Sequence, residues 1–387
     1  MNRKNTGQYI ISTTTGENFK AFVPAPLPPV PPLEVNNNLR EQLDNAILLL
    51  GRLDSLSDLL PDPLLFIYMY VRKEAVLSSQ IEGTQSSLSD LLLFENDAVP
   101  GVPIDDVREV SNYVSALNHG LERIKSGFPI SSRLIRDIHR ILLSKGRGSA
   151  KKPGEFRRSQ NWIGGSRPGN ARFVPPPHDY LPDCMSALEN FIHDKPQKTP
   201  ILIKAALVHA QFETIHPFLD GNGRLGRLLI TLMLCSHNIL KEPMLYLSLF
   251  FKNHRQDYYE CLQDLRTKGN WEHWLSFFLE GIILTAEQAI GTAKTILSMQ
   301  KKHREIVVKN QHNVNSVLRV FDCFQLQPVA SIQTIAKKTE LSPPTISSAL
   351  KELQKLGIVE EVTGMRRNRL YRYKDYLAIL SEGTQPL

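Results

Sequence analysis

A chain of 387 residues is long enough for two or three domains, and 42% hydrophobic and 22% charged residues are typical of a folded globular protein. No run of about 18 apolar residues occurs, so we expect no contact with a membrane, and the first residues, MNRKNTGQYI, lack the apolar centre of a signal peptide. Four scattered cysteines without a C-x-x-C pair favour free thiols in the cytoplasm over a disulfide or zinc framework.

The net charge of +7 is concentrated at one end of the chain. Residues 301–387 contain 14 Lys and Arg against 8 Asp and Glu, whereas the preceding residues contain 32 against 31. A basic terminal module beside a nearly neutral body predicts that only this module meets a polyanion.

The first 37 residues are interpreted as an arm. Its proline-rich stretch PAPLPPVPP (24–32) favours an extended polyproline II strap packed over the body, with an SH3-type ligand as the less favoured alternative.

From about Asn38, apolar residues recur at spacings of three and four. This periodicity predicts helices over 39–56, 63–82, 86–94, 107–124 and 131–145.

Residues 146–180 interrupt the helical pattern, because they are rich in Gly, Pro and Arg. FRRSQNWIGG and ARFVPPP predict two short strands around the turn SRPGN. Helices are then predicted over 181–194, 200–215, 225–235, 252–268 and 271–298.

The order helix, short helix, turn, helix and hairpin over residues 314–375 is that of a winged helix-turn-helix. Ser342 is the predicted N-cap of its third helix, and Gly357 follows the end of that helix. The hairpin is predicted from IVEEVTG and RLYRY, which flank the basic turn MRRN.

The stretch HPFLDGNGRLGR (216–227) contains GNGRLG, which satisfies the G-x-G-x-x-G pattern of dinucleotide-binding turns. That fingerprint requires a strand before its first Gly and an acidic residue about 20 residues later. The preceding segment, ILIKAALVHAQFETI, is helical in length and periodicity, and no acidic residue in a strand-like segment follows at that distance. The sequence therefore argues against a Rossmann turn.

The same stretch still has the features of a phosphate-binding loop. Gly221, Asn222 and Gly223 predict a loop at a helix N-terminus, where free N–H groups and the helix dipole favour an anion. Arg224 and Arg227 are three positions apart, so they project from one face of the first turns and suit more than one phosphate.

Two further groups complete the chemistry. A carboxylate beside phosphates is repulsive unless a hard cation bridges them, so Asp220 is a candidate ligand for Mg²⁺. His216 can accept a proton near neutral pH. An Asn-Gly turn capping a helix beside surface arginines would explain any two of these features, but the whole set indicates transfer from a nucleotide to a hydroxyl.

The stretch resembles the signature of the Fic family, HPFx(D/E)GNGRxxR, at every specified position. GEFRRSQNWIGG (154–165) is similar to the family's flap hairpin, and residues 247–279 are similar to the end of its core. The resemblance covers roughly residues 40–295, and a winged helix is a common appendage. It implies a mainly α fold with four parts: an arm (1–37), a helical region with an inhibitory motif (38–125), a Fic core with a short β-hairpin flap (126–298) and a winged helix-turn-helix (299–387).

Fic enzymes of this kind mostly transfer AMP from ATP to a Ser, Thr or Tyr hydroxyl of a protein. The resemblance therefore implies that His216 is the general base, that Asp220 holds Mg²⁺, and that the α-phosphorus is attacked while pyrophosphate leaves. It also implies a set of ATP-binding residues, in which Arg227 faces the γ-phosphate: Gly221, Asn222, Gly223, Arg224, Arg227, Asn253, Tyr258 and Tyr259. Tyr258 and Tyr259 are assigned to the adenine pocket by resemblance, but packing in the core is an equally good explanation for these two side chains.

The same resemblance implies a segment that recognises the target protein. The flap residues Asn161, Trp162, Ile163 and Gly164 would bind a target segment by strand addition.

Residues 78–83, SSQIEG, resemble the family's inhibitory motif (S/T)xxxE(G/N). Ser78 and Glu82 lie one turn apart on a helix face, before Gly83, and the carboxylate could pair with Arg227 and turn ATP away from in-line attack. The alternative is an ordinary surface Glu before a Gly cap.

Three functions compete. The first is an ATP-dependent AMP transferase restrained by Glu82. The second keeps the core with another donor or reaction, namely phosphate or phosphocholine transfer, or removal of AMP. The third is a DNA-binding regulator that uses the Fic core as a nucleotide sensor.

The expected partners are a protein with a hydroxyl side chain, including the chain itself, a second copy in a homodimer, and DNA at the winged helix. Candidate DNA contacts lie on the third helix and at the hairpin tip: Thr345, Ser347, Ser348, Lys351, Lys355, Arg366, Arg367 and Arg369. A protein contact is the alternative use of this domain.

Overall fold

The computed structural model describes residues 3, 6–14, 16–59, 63–96, 101–309, 314–364 and 368–386. These residues are mostly helical, as predicted, with one hairpin near the N-terminus and one small sheet near the C-terminus. The helices that precede the winged helix are α1 (Asn37–Leu59), α2 (Pro63–Ile81), α3 (Leu88–Glu95), α4 (Ile104–Lys125), α5 (Ser132–Leu142), α6 (Leu181–Ile192), α7 (Ile201–Ile215), α8 (Asn222–Ser236), α9 (Ser248–Asn253), α10 (Arg255–Lys268) and α11 (Trp271–Lys309). None of the helices in the described part of the chain is long and apolar enough to cross a membrane.

The helix pair α7 and α8 forms the centre of the core, and the 216–227 motif joins the two helices. Residues 202–215 of α7 are all buried, and so is nearly all of α8 as far as Leu234. Helices α2, α4, α5, α6 and α11 pack around the pair. The motif is thus held between two helices that are buried in the core.

The N-terminal arm begins with a hairpin that we did not predict. Strand β1 (Gly7–Thr14) pairs antiparallel with β2 (Glu17–Pro24), and Phe22 of β2 donates its N–H to Val174 O at 2.9 Å. The β-branched run YIISTTT and the alternation in NFKAF were the signals for these strands. The proline-rich residues 24–32 favour an extended arm, so no hairpin is predicted before them.

The proline-rich stretch after β2 packs as a strap over the body. Arg3 donates from Nε to Pro31 O at 2.6 Å and from Nη2 to Pro32 O at 2.8 Å. The same guanidinium pairs with Glu272 at the start of α11. The strap is therefore tied to the core through a buried arginine.

Two predicted elements differ in the structure. The helix predicted over 252–268 is divided at His254 into α9 and α10, because His254 leaves helical geometry at φ −111° and ψ 40°. In the flap, the predicted strands FRRSQNWIGG and ARFVPPP share only the antiparallel bridge between Ile163 and Phe173. The remainder of the flap is held by side-chain hydrogen bonds and by the N–H of Arg157, which donates to Pro217 O at 2.9 Å, and periodicity does not reveal such contacts.

Helix α11 continues to Lys309, so the boundary predicted between residues 298 and 299 lies inside it. The C-terminal domain that follows is a winged helix, with more elements than predicted. It consists of α12 (Val314–Leu326), β3 (Val329–Ser331), α13 (Ile332–Thr339), α14 (Pro343–Lys355), β4 (Val359–Glu361), β5 (Leu370–Tyr373) and α15 (Lys374–Leu380).

Ser342 caps α14 by accepting the N–H of Thr345, and Gly357 follows the helix at φ +72°, both as predicted. The predicted strands β4 and β5 pair as a hairpin. Strand β3 pairs with the other edge of β5, which gives the sheet order β3-β5-β4. The sequence did not reveal β3 or α15, because both are short. Arg366 and Arg367 lie outside the described residues.

Candidate active site

The motif begins with a reversal of the chain at His216. Helix α7 ends at Ile215, and His216 takes the left-handed conformation with φ +49° while its N–H donates to Phe212 O at 2.9 Å. Gly221 is also left-handed, at φ +75°, and is the N-cap of α8. Glycine adopts this conformation without the strain that a side chain adds, so Gly221 makes the second reversal at a lower cost in free energy than His216 makes the first.

Asn222 closes the loop between these two reversals. Its Oδ1 accepts the N–H of Phe218 and its Nδ2 donates to Phe218 O, each at 2.9 Å. The buried side chain of Asn222 therefore shapes the loop, and any phosphate contact here is left to backbone N–H groups.

His139 of α5 holds the same loop through hydrogen bonds, and no sequence pattern predicts this role. Its Nδ1 accepts the N–H of Gly154 at 2.8 Å, so the proton of the neutral ring is on Nε2, which donates to Asp220 O at 3.0 Å. The ring stacks on Phe218 with 3.7 Å between centroids. Burial lowers the pKa of His139 to about 4, so the ring stays neutral and joins the start of the flap to the motif.

Arg224 is held by Glu109 of α4, a residue that sequence reasoning missed. Nη1 of Arg224 donates to Glu109 Oε2 at 3.0 Å, and Arg147 donates to Oε1 at 2.9 Å. Burial raises the pKa of Glu109, although the two arginines act in the opposite direction. One buried carboxylate thus orients two guanidinium groups at the edge of the motif.

Arg227 meets the predicted inhibitory motif. Its Nη2 donates to Glu82 Oε1 at 2.7 Å and to Ser78 O at 2.9 Å, and its Nε donates to Ser78 Oγ at 2.9 Å. Burial would raise the pKa of Glu82, but the charge and hydrogen bond of Arg227 outweigh it, and the net pKa lies below the ordinary value. Glu82 is therefore an ionised carboxylate, paired with a buried arginine.

The Glu82 carboxylate also lies over the first turn of α8. A Cβ at Gly223 would come within 2.2 Å of Glu82 Oε1, so this approach requires a glycine. Gly83 turns the chain away at φ +95°, with open space around it. The carboxylate occupies the anion-favouring position that the sequence predicted for a phosphate.

His216, the predicted base, is largely enclosed. Burial, with the nearby charges of Arg266 and Arg157, lowers its pKa to about 4, against the smaller opposing effect of Glu82. Arg157 also donates to His216 O at 3.0 Å. The imidazole is therefore neutral at pH 7 and able to accept a proton.

Of the four predicted flap residues, Asn161 contacts the motif directly. Asn161 donates from Nδ2 to Phe218 O at 3.0 Å. Ile163 exchanges both backbone hydrogen bonds with Phe173, at 2.8 and 3.1 Å. Trp162 is 37% exposed, and Gly164 takes the left-handed conformation at φ +70°, so the extended backbone ends at this bridge.

The predicted adenine residues are not equivalent. Tyr258 is buried, its hydroxyl lies 2.9 Å from His209 Nε2, and its ring packs on Phe251 at 4.7 Å. This packing corrects the prediction that Tyr258 contacts adenine, because no face of its ring is open to a ligand. Asn253 is exposed at the end of α9, and Tyr259 is half-buried, so both remain available.

Three family models match parts of this chain. Residues 129–234 match the model of the Fic/DOC family, and residues 40–122 match the model described as Fic/DOC family N-terminal. The chain carries a Fic domain. Residues 317–360 match a winged helix-turn-helix described as DNA-binding, so the Fic domain and its N-terminal partner precede a winged helix, as predicted.

Relatives and solved structures support the Fic fold. Protein adenylyltransferase Fic of Aedes aegypti is 33% identical over 187 residues, which is 47% of this chain and 34% of the relative. The chain thus spans about a third of the length of such curated relatives. A Fic family protein from Desulfovibrio desulfuricans G20 superposes with a TM-score of 0.57 at 19% identity, over 89% of this chain and 98% of the other. Fic-1 from C. elegans gives a TM-score of 0.50 at 21% identity, over 66% of this chain and 73% of that one.

Proposed function

We propose that the chain is a protein adenylyltransferase that transfers AMP from ATP to a Ser, Thr or Tyr hydroxyl, and that Glu82 restrains it. The names of the curated relatives support the reaction class. The observation that carries the proposal is the Glu82 carboxylate bound to Arg227 above the first turn of α8. An acidic side chain already occupies the place that suits a phosphate.

The residues of the 216–227 motif would act in the transfer as follows. The hydroxyl oxygen forms a bond to the α-phosphorus, the bond from that phosphorus to the pyrophosphate oxygen breaks, and the hydroxyl proton passes to His216. The neutral imidazole is ready for this proton. The N–H groups at the start of α8, with Arg224 and Arg227, stabilise the negative charge of the phosphates.

Asp220 fits a role in binding Mg²⁺. Its Oδ1 accepts the N–H of Gly221 at 2.6 Å and lies 3.5 Å from Arg224, while Oδ2 faces Gly148, which has no side chain to cover it. No group of three or more His, Cys, Asp or Glu side chains in the described ranges could hold a metal. The ion would therefore use Asp220 together with phosphate oxygens, and when bound it would neutralise phosphate charge.

Restraint by Glu82 acts through position. The carboxylate repels a γ-phosphate and occupies the guanidinium that would bind it. ATP that enters beside this pair would hold its outer phosphates elsewhere, and the α-phosphorus would lose its alignment with the hydroxyl.

The mass of the product tests the reaction. Glu82→Gly protein incubated with ATP and Mg²⁺ should gain the mass of an adenylyl group, on itself or on proteins of a lysate, and His216→Ala in the same background should not. A phosphate adduct would support phosphate transfer from ATP instead, and a phosphocholine adduct formed in the lysate would support a donor other than ATP. An unmodified protein pool would contradict transfer altogether.

A second function, DNA binding, is favoured by the family match and by α14. This helix exposes Ser348, Lys351 and Lys355, although Lys355 pairs with Glu352 at 2.7 Å. Its N-terminal turn, capped by Ser342, is also exposed. Such a face suits phosphate and groove contacts.

A further inference from the structure

The segment that follows α15, residues 381–386, lies on the Fic core beside the inhibitory helix. Gln80 donates from Nε2 to Thr384 O at 2.7 Å, across 304 residues of sequence. Lys252, in α9, donates from Nζ to Gly383 O at 3.0 Å and also to Gln385 O. Thr384 is only 1% exposed, so the segment is packed into the core.

Gln80 connects this segment to the turn that carries Glu82. The same Nε2 donates to Ser86 O at 2.8 Å, in the loop that follows α2. In the turn itself, Glu82 donates its N–H to Ser79 O at 3.0 Å, and Gly83 donates to Gln80 O at 3.0 Å. One side-chain amide therefore joins the last turn of α2, the following loop and the segment 381–386.

The contact at Gly383 leaves no room for a side chain. Gly383 has φ +78°, and a Cβ there would lie 2.8 Å from Leu249 Cδ1. Both the backbone conformation and the close approach thus require glycine. This position offers a way to loosen the segment without touching the active site.

The junction is incompletely hydrogen-bonded. Five buried polar atoms around it have no hydrogen-bond partner among the described residues: Lys73 Nζ, Ser79 Oγ, Gln80 Oε1, Thr84 Oγ1 and Ser86 Oγ. The Lys73 ammonium lies 4.5 Å from the centre of the Tyr246 ring, and burial lowers its pKa to about 8. Buried groups without partners cost free energy, so this junction is held less tightly than a fully paired network.

We propose that the site formed by Gln80, Lys252 and Leu249 binds segment 381–386 as part of the restraint on Glu82. While the segment is bound, Gln80 holds the last turn of α2 in the conformation that places Glu82 on Arg227. Release of the segment frees that turn and raises AMP transfer. Because the segment continues from α15, the position of the winged helix influences the active site through it. This inference rests on the proposed function.

Gly383→Ala in the full chain tests the link. We expect labelling from ATP to rise about threefold to tenfold, the effect of weakening one or two buried hydrogen bonds. In a Glu82→Gly background the same substitution should add nothing, because the restrained group is absent. Gly357→Ala is the matched control, since Gly357 has φ +72° in the same domain and no atom within 4 Å of its Cβ position.

Lys252→Met reaches the same contact from the core side and should raise labelling in the same direction. If both variants label like wild type while Glu82→Gly labels strongly, the link is wrong and the proposed function stands. An additive rise in the Glu82→Gly background also overturns the link. Absence of labelling by Glu82→Gly overturns both. Thermal unfolding of each variant separates a loosened segment from a misfolded chain.

Discussion

At the scale of residues, the proposed restraint depends on an ion pair whose two side chains differ in their exposure to solvent. Arg227 is buried, whereas the side chain of Glu82 remains 35% exposed. Half-exposed pairs contribute modestly, in the range of about 1–3 kcal/mol for a charge-assisted hydrogen bond. Such a pair is strong enough to bias Arg227 and weak enough for a nucleotide to displace it. Glu82 is therefore suited to slow the reaction rather than to abolish it.

The protonation of His216 gives a prediction at the same scale. Because its pKa is lowered to about 4, the ring is protonated only below that pH and is neutral from pH 5 upwards. An NMR titration of the free protein should show its imidazole resonance, identified by its loss in His216→Ala, changing with a midpoint near 4. A midpoint at the ordinary value of 6.5 would mean that the imidazole is not desolvated.

The site could be predicted from the sequence only in part. The motif residues and SSQIEG are short local patterns, so the sequence revealed both, and the structure brings Glu82 and Arg227 together. Glu109 and His139 lie on other helices, 115 and 81 residues from the groups they hold, with no local pattern of their own. Tyr258 was assigned to the nucleotide because sequence position does not distinguish an aromatic core from a pocket.

At the scale of elements, the flap is a platform held by side chains. A single bridge gives it strand geometry, and Arg157 anchors it by donating to His216 O and Pro176 O. Under the proposed function, this platform would be the surface to which a target strand adds. Strand β3 shows why strands were harder to predict than helices, since it has three residues and its partner β5 lies about 40 residues later in the chain.

Trp162 tests the role of the flap. In a Glu82→Gly background, Trp162→Ala should lower labelling of lysate proteins several-fold, because an exposed aromatic ring at a docking edge is lost. The KM for ATP should stay unchanged. Tyr180→Ala is the matched control, since both side chains are 37% exposed and Tyr180 lies outside the flap. Equal loss in both variants would remove Trp162 from target binding.

At the scale of the whole molecule, the excess positive charge coincides with the winged helix. The excess positive charge belongs to the last 87 residues, and the winged helix occupies most of them. The neutral body contains the motif and both ends of the Glu82–Arg227 pair. The long helix α11 and segment 381–386 connect the two parts.

Lys351 provides the prediction for DNA binding. In a gel-shift titration, the wild-type chain should bind duplex DNA with an affinity that falls as salt rises, and Lys351→Ala should reduce the slope of that dependence by about one. Lys294→Ala, on an exposed position of α11, should leave the slope unchanged. Binding that is absent at low salt would assign the winged helix to a protein contact.

The most direct test of the central claim compares three forms of residue 82. Initial rates of AMP transfer should rise about tenfold or more in Glu82→Gly, because removal of the pair frees Arg227 for the nucleotide. Glu82→Gln should give an intermediate rate, since the amide retains a hydrogen-bond acceptor and loses the charge. Equal rates for wild type, Glu82→Gln and Glu82→Gly would contradict restraint by the Glu82–Arg227 pair.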